Sequence, residues 1–252
     1  MWQQSFFKII PLFLFTTSGV PYFLQGQELR IDHVVSVVSN LERAVDNFSQ
    51  MGFTIKKGTL HSNGLINAHI KFENYSSLEL MSIRGEPQDQ MAKTYESLLK
   101  VGEGGVYLAL TGLKQDSIEE VLATLDMAFL ESRNSLWTYI SFPDDSELAH
   151  IFFIFYHFDQ SHSEKFTTHK NGFNSIQNIT IEGNQNLIVL LNNLGLDSSE
   201  ESANEPVTTS RFITKTGNIT VIPVKDSKSR ARIKQITFAT KNTSKTLTLN
   251  LE

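Results

Sequence analysis

The chain of 252 residues contains no cysteine, so disulfide bonds, thiolate metal sites and cysteine nucleophiles are excluded. It also lacks an excess of positive charge, because 22 Lys and Arg residues against 27 Asp and Glu residues give a formal net charge of -5. Nucleic-acid binding depends on basic side chains that neutralise phosphates. We therefore expect a small-molecule ligand and no nucleic-acid partner.

Long apolar runs are missing as well. The N-terminal run at residues 9–15 is short and contains Pro11, which argues against a membrane-spanning helix. It follows Lys8 and is followed by the small and polar residues 16–19, with Gly26 as a plausible cleavage point, which is the order found in a signal peptide. We expect residues 1–26 to direct export to the periplasm or the medium, without stable membrane insertion afterwards. If this segment is not a signal, the expected location is the cytoplasm.

Proline is scarce, with 6 copies, whereas phenylalanine occurs 18 times and hydrophobic residues make up 40% of the chain. This composition indicates a globular protein rich in β-strands.

One order of elements recurs along the chain: a strand, a helix and three strands, in units that begin roughly 70 residues apart. In the first unit, residues 31–38 read as a strand, and Asn40 can cap a helix that Gly52 ends. Its later strands are predicted at residues 53–57, 66–72 and 77–83. We expect paired βαβββ modules over residues 28–158, and a third, partial module with C-terminal strands over residues 173–252.

The segments between these units are predicted from their polarity. An amphipathic helix around Met91, Tyr95 and Leu98 joins the first two modules. The acidic and polar residues 197–209 are typical of a surface loop. His162 and His169 are expected to be exposed in a further loop.

A βαβββ module buries one face of its sheet under its helix. Two modules side by side would leave their other faces as a concave cleft. The predicted fold class is therefore α+β, with repeated modules forming half-open mixed β-sheets, and the cleft is the expected functional site.

Several short segments resemble the glyoxalase-like domain family of the vicinal oxygen chelate superfamily. They are IDHVV at residues 31–35, NLERA at 40–44, MGFT at 51–54, the set Gly58, His61, Gly64, Asn67 and Ala68, LEL at 78–80 and HKNG at 169–172. The resemblance extends from residue 30 to about residue 240 and is most specific in the first module.

The resemblance implies a divalent metal, such as Zn, Ni, Fe or Mn, held on the cleft by the first and last strands of paired modules. Carried over by position, His33 and Glu79 are the matching metal ligands. The second module departs from this pattern, because Phe155 and Tyr156 stand where the family often has an acidic residue. Similar proteins include lyases, isomerases, ring-cleaving dioxygenases and metal-free binders.

Side chains alternate between the two faces of a strand, which sorts the candidates independently of the resemblance. With the apolar residues under the helix, the cleft face carries His33, Glu79, Asn67, His69 and Lys71. We expect Glu79 and His69 to move protons. The expected substrate contacts are His61, Asn67, Lys71 and Phe155. A purely structural alternative is that His33 is hydrogen-bonded inside the sheet and that Glu79 forms an ion pair with Lys71.

Three functions stay open on the sequence. The first is a metal-dependent lyase or isomerase acting on a small oxygen-containing substrate. The second is a metal-free, exported binding protein with an aromatic cleft lined by Phe153, Phe155, Tyr107 and Trp137. The third is an interaction surface, in which the edge of the closing strands at residues 232–251 could pair with a second chain, as in a homodimer.

Overall fold

A computed structural model describes residues 28–161, 163–201, 208–224, 232–241 and 245–251. The predicted signal segment, residues 1–26, and His162 lie outside these ranges. Within them, no helix has the length and apolar character needed to cross a membrane.

The described elements follow the predicted order three times. The first module comprises β1 (Arg30–Val37), α1 (Leu41–Gln50), β2 (Lys56–Leu60), β3 (Leu65–Lys71) and β4 (Ser77–Ile83), and α2 (Gln90–Val101) follows it. The second comprises β5 (Gly104–Thr111), α3 (Gln115–Thr124), β6 (Leu130–Arg133), β7 (Trp137–Ser141) and β8 (Ile151–Tyr156), before the short α4 (Glu164–Thr167). The third comprises β9 (Ser175–Gly183), α5 (Gln185–Asn193), β10 (Ser198–Glu201), β11 (Thr209–Ile213) and β12 (Asn218–Pro223). The chain then forms β13 (Arg232–Ala239) and β14 (Thr246–Asn250).

Each module pairs its first strand with its last strand in parallel: β1 with β4, β5 with β8, and β9 with β12. The first two modules join through an antiparallel pairing of β1 with β5. In the same way β9 pairs with β13, which therefore stands where the first strand of a fourth module would stand. The sheets are open rather than closed barrels, and the predicted α+β fold of half-open modules is confirmed.

Helix α1 shows how local sequence sets these elements. The Asn40 side chain accepts a hydrogen bond from the Arg43 backbone N–H at 2.8 Å, which satisfies a free donor of the first turn. Gly52 has a φ of +88° just after the helix, a conformation that glycine adopts without strain. Between these ends, Leu41, Ala44 and Phe48 pack into the main core.

The main core lies beneath α1, α3 and α5, on the faces of the sheets that the helices cover. A second, smaller cluster lies on the opposite face of the first module and is covered by α2. Tyr95, Leu98 and Leu99 of α2 pack there against buried strand residues, among them Val37 and Met81. The predicted linking helix therefore also fills one end of the cleft.

One strand prediction and one loop prediction are wrong in part. The predicted strand at residues 53–57 begins only at Lys56, because Phe53 is buried in an aromatic cluster, with ring centroids 5.3 Å from Phe238 and 5.9 Å from Phe173. The segment predicted as a surface loop at residues 197–209 contains β10, which pairs with β11 from Ser198↔Phe212 onwards. Both outcomes depend on partners that are distant in sequence.

His169 was predicted to be exposed, but it is buried. Its Nδ1 accepts a hydrogen bond from the Thr54 backbone N–H at 3.0 Å, and its Nε2 lies 3.0 Å from the carbonyl oxygen of Lys71. Its ring lies against Phe53 and Phe72, at centroid distances of 5.4 and 5.3 Å. Burial lowers the pKa of His169, so the neutral ring ties the end of β3 to the segment before β9.

We expect His169→Ala to lower the free energy of unfolding by about 3 kcal/mol, because it leaves a buried donor and a buried acceptor without partners and opens a cavity. The matched control is His61→Ala, since His61 is exposed at the turn between β2 and β3. That change should cost less than about 0.5 kcal/mol. Urea denaturation of both variants measures the difference, and equal costs would contradict the structural role of His169.

Candidate functional site

Strands β1, β3 and β4 bring one set of polar side chains together on the cleft face. In the register of these strands, Glu79 lies beside Val35 of β1 and directly opposite His69 of β3. Because alternate residues share a face, the same face receives a set that we call the polar cluster. Its members are His33, Asn67, His69, Lys71 and Glu79.

Glu79 lies at the centre of the polar cluster and is 9% exposed. Its Oε1 accepts a hydrogen bond of 2.7 Å from the Asn67 side-chain amide. Its Oε2 lies 3.5 Å from Nε2 of His33, and Oε1 lies 3.8 Å from Nε2 of His69. The direct cross-strand neighbour of Lys71 is Ser77, and that of Glu79 is His69. The strand register therefore does not favour the alternative ion pair between Glu79 and Lys71.

His33 is held from its other side by Asp32, which the sequence did not single out. Nδ1 of His33 lies 2.6 Å from Oδ1 of Asp32, and the Tyr156 hydroxyl donates to the same oxygen at 3.0 Å. A register shift in the pairing of β1 with β5 falls between Ile31 and His33. This bulge at Asp32 lets two consecutive side chains meet, which strict alternation would forbid.

These contacts set the charges of the pair. Burial disfavours the charged form of His33, but the hydrogen bond to Asp32 and the negative charges of Asp32 and Glu79 outweigh it and raise the pKa of His33. Burial likewise opposes ionisation of Asp32, yet the hydrogen bonds from His33 and Tyr156 hold its pKa below the usual value. The two residues therefore form a buried ion pair.

His69 behaves differently, although it lies beside the same carboxylate. Burial is the largest effect and lowers the pKa of His69 to about 4, against an opposing contribution from Glu79. Nδ2 of Asn67 lies 3.3 Å from Nε2 of His69, and an amide nitrogen in that position donates to a neutral ring. Burial and the charge of Lys56 also lower the pKa of Lys71.

The second module presents aromatic residues at the corresponding positions. His33 precedes the helix cap Asn40 by seven residues (40 − 33), and Tyr107 precedes the helix cap Lys114 by seven (114 − 107). Phe152 pairs with Ala109 of β5 as Glu79 pairs with Val35 of β1. The His33–Glu79 pair of the first module is therefore replaced by Tyr107 and Phe152 in the second.

The third module has neither an ionisable pair nor aromatic rings at these positions. Ile176 and Ile179 of β9 face the core as Ile31 and Val34 of β1 do, and a register shift follows Ile176 as one follows Ile31. This correspondence sets Asn178 at the position of His33. The residue of β12 at the position of Glu79 is Thr220, whose hydroxyl donates to the Asn178 side chain at 2.9 Å. Of the three modules, the first alone has an ionisable pair there.

A continuous series of rings, which we call the aromatic wall, extends from α2 across the second module. Successive centroid distances are 5.7 Å for Tyr95–Tyr107, 6.2 Å for Tyr107–Phe152, 5.5 Å for Phe152–Tyr139 and 6.0 Å for Tyr139–Trp137. The wall meets the polar cluster where Phe152 contacts the His33 ring edge to face at 5.5 Å. Burial raises the pKa of Tyr95 and of Tyr139, so both hydroxyls are neutral.

Two of the predicted substrate contacts lie elsewhere. Phe155 packs against the main core together with Phe153, on the face of β8 opposite to Phe152. Alternation along β8 explains the error, because the cleft position belongs to Phe152, three residues earlier. His61 is exposed at the β2–β3 turn, where its backbone N–H donates to the Leu65 carbonyl at 2.8 Å. The structure does not bring His61 to the polar cluster.

The model of the glyoxalase-like domain family matches residues 31–187, which is more than half of the chain. The chain belongs to the glyoxalase-like domain family. The resemblance seen in the sequence is thereby confirmed, and the fold is that of the vicinal oxygen chelate superfamily.

Solved structures share the fold of this glyoxalase-like protein. A hypothetical protein from Staphylococcus aureus aligns with a TM-score of 0.55 and 16% identity, over 78% of this chain and 87% of that chain. A fusion protein of a xylose isomerase-like TIM barrel and 4-hydroxyphenylpyruvate dioxygenase aligns with a TM-score of 0.54 and 11% identity, over 82% of this chain and 36% of that chain. Methylmalonyl-CoA epimerase from Mycobacterium tuberculosis aligns over 53% of this chain and 92% of that chain at 18% identity, but its TM-score of 0.40 is too low to establish a shared fold. No curated protein matches the sequence.

The donor set does not fit a metal held between paired modules. Tyr107 and Phe152 occupy the positions from which a second module would supply its ligands, so neither a His nor a carboxylate is present there, and the Phe152 ring has no lone pair to donate. Among the described residues, no group of three or more His, Asp or Glu side chains is arranged to hold a metal ion.

The low pKa of His69 predicts a pH-dependent stability. Its pKa is about 4 in the folded protein and near 6.5 in the unfolded chain, so the unfolded chain binds more protons between these values and stability falls as the pH falls. From pH 7 to pH 5 the wild type should lose about 2 kcal/mol more than His69→Gln, which cannot be protonated. His61→Gln, at an exposed site, is the control and should follow the wild type. Urea denaturation at both pH values measures this, and parallel losses in wild type and His69→Gln would contradict it.

Proposed function

We propose that this glyoxalase-like protein binds a small oxygen-containing molecule in the cleft and transfers a proton on it without a resident metal. The observation that carries the proposal is the division of the cleft. The polar cluster of the first module faces the aromatic wall of the second, and His33 contacts Phe152 where they meet. A few polar groups beside an aromatic surface are what small-molecule sites commonly provide.

The polar cluster has the groups that enolisation-type chemistry requires. The raised pKa of His33 favours its imidazolium form, which can donate a hydrogen bond to the oxygen of a bound carbonyl. Glu79 can accept a proton from the adjacent carbon, and Asn67 holds its Oε1 so that Oε2 is directed towards His33. Nε2 of His69 already lies 3.3 Å from the amide nitrogen of Asn67, so we assign His69 to hydrogen bonding rather than to proton transfer.

A metal-assisted reaction is the second candidate, and one observation favours it. Asp32 engages Nδ1 of His33 and leaves Nε2 directed towards Glu79, which is how a carboxylate commonly orients a metal-binding histidine. His33 and Glu79 would then be the ligands from this chain. Since the second module offers Tyr107 and Phe152 in place of further ligands, the proposal takes no step through a metal.

Export and self-association are proposals that rest on the sequence. The order of residues in segment 1–26 supports export, and sequencing the N-terminus of the protein recovered from its host would test cleavage near Gly26. Strand β14 is an edge strand beside β13 and could pair with a second copy.

The proton-transfer proposal predicts a large effect of Glu79→Gln. We expect the wild type to catalyse exchange of the acidic C–H of a small uncharged hydroxyketone for deuterium in D₂O, which NMR can follow. Glu79→Gln should slow exchange by about 10²- to 10⁴-fold, because the amide cannot accept the proton. Glu86→Gln, which changes an exposed carboxylate after β4, should exchange as the wild type does. Equal rates in both variants would overturn the role of Glu79.

Elemental analysis separates the two candidates. The proposal predicts well below one divalent ion per chain in protein purified without chelator, and no dependence of metal content on His33. A stoichiometric ion that is lost in His33→Ala would replace the proposal with the metal-assisted reaction.

A further inference from the structure

We propose that the ligand of the cleft carries a hydroxylated aromatic ring, a phenol group whose ring lies against the aromatic wall and whose hydroxyl donates to Glu79. This inference names the ligand class of the same site and so rests on the proposed function. It is carried by the junction of the aromatic wall with the polar cluster.

The aromatic wall is a continuous surface that remains partly accessible. Its five rings, from Tyr95 to Trp137, contact one another in series at centroid distances between 5.5 and 6.2 Å. Each ring is half-buried, so it packs within the protein and still exposes part of its surface. Rings in edge-to-face or offset contact with a flat ligand gain more than their buried area alone provides. An aliphatic ligand would forgo that gain.

The contact between Phe152 and His33 fixes where the polar part of the ligand must lie. Their ring centroids are 5.5 Å apart, and Nε2 of His33 is 3.5 Å from Glu79. A ring against Phe152 would therefore direct a single substituent into the polar cluster, one ring width away. The remaining edge of such a ring would meet apolar or aromatic surface, which disfavours ligands with hydroxyls all around, such as sugars.

The charges of the polar cluster favour an uncharged donor over an anion. Asp32 and Glu79 are two buried carboxylates that lie beside His33 and Lys71, so the site contains its own counter-charges, and a carboxylate on the ligand would add a further, unbalanced negative charge. A phenolic hydroxyl is neutral at pH 7 and can donate to Oε2 of Glu79. Its oxygen can accept from Nε2 of His33, which lies 3.5 Å from the same carboxylate oxygen.

The test is calorimetric titration of the wild-type protein with four probes: phenol, anisole, benzoate and cyclohexanol. Anisole lacks the donor, benzoate carries the negative charge, and cyclohexanol lacks the ring. We expect phenol to bind at least about fivefold more tightly than each of the others. Phe152→Leu should reduce the phenol affinity to near that of cyclohexanol, and Tyr139→Leu provides a second wall variant if Phe152→Leu does not fold.

The matched control is Phe155→Leu, which removes the same ring from the core face of the same strand. It should lower the melting temperature and leave the phenol affinity unchanged. Equal binding of phenol and cyclohexanol, or preferred binding of benzoate, would overturn the ligand class. If cyclohexanol or benzoate bound in this way but lost its binding in Glu79→Gln, the phenol ligand class would be wrong and the proposed function would still stand. Absence of any Glu79-dependent binding or proton exchange would overturn both.

Discussion

The compensation of one buried carboxylate organises the candidate site. Glu79 is nearly inaccessible, and a carboxylate in that position is costly unless hydrogen bonds and opposite charge surround it. Asn67 supplies the hydrogen bond from β3 and His33 supplies the positive charge from β1. His33 carries that charge because Asp32 and Tyr156 stabilise it from behind. The contact between His33 and Glu79 depends on the parallel pairing of β1 with β4, which sets Glu79 beside Val35 and hence on the face of His33, and the contact with Asn67 depends on the antiparallel pairing of β3 with β4.

The repetition of one module explains why the site has two unlike halves. The three modules share strand pairing and bulge positions, so corresponding residues can be compared within one chain. At the positions of His33 and Glu79, the second module has Tyr107 and Phe152, and the third has Asn178 and Thr220. Because β1 and β5 are paired, the ionisable pair of the first module and the rings of the second line one cleft. In the third module, Asn178 and Thr220 lie on a separate part of the sheet, and the apolar residues of this module contribute to the common core.

The helix between the first two modules covers one end of the cleft face. α2 packs Leu98 and Leu99 onto the apolar end of the cleft face, and its Tyr95 begins the aromatic wall. At the other end of this face, Tyr156 and Gln160 donate hydrogen bonds to Asp32.

The sequence by itself determined the elements and the faces of the first module. Periodicity located α1 and the strands around it, and alternation placed His33, Asn67, His69, Lys71 and Glu79 on one face, because both patterns are properties of local backbone geometry. Only the tertiary structure decided which residues from distant segments meet them. A bulge turned Asp32 towards His33, the register of β8 put Phe152 rather than Phe155 in the cleft, and burial between β3 and β9 converted His169 from an expected loop residue into a structural one. Strand register and burial arise from pairing between segments far apart in the chain, and a single local pattern does not contain that information.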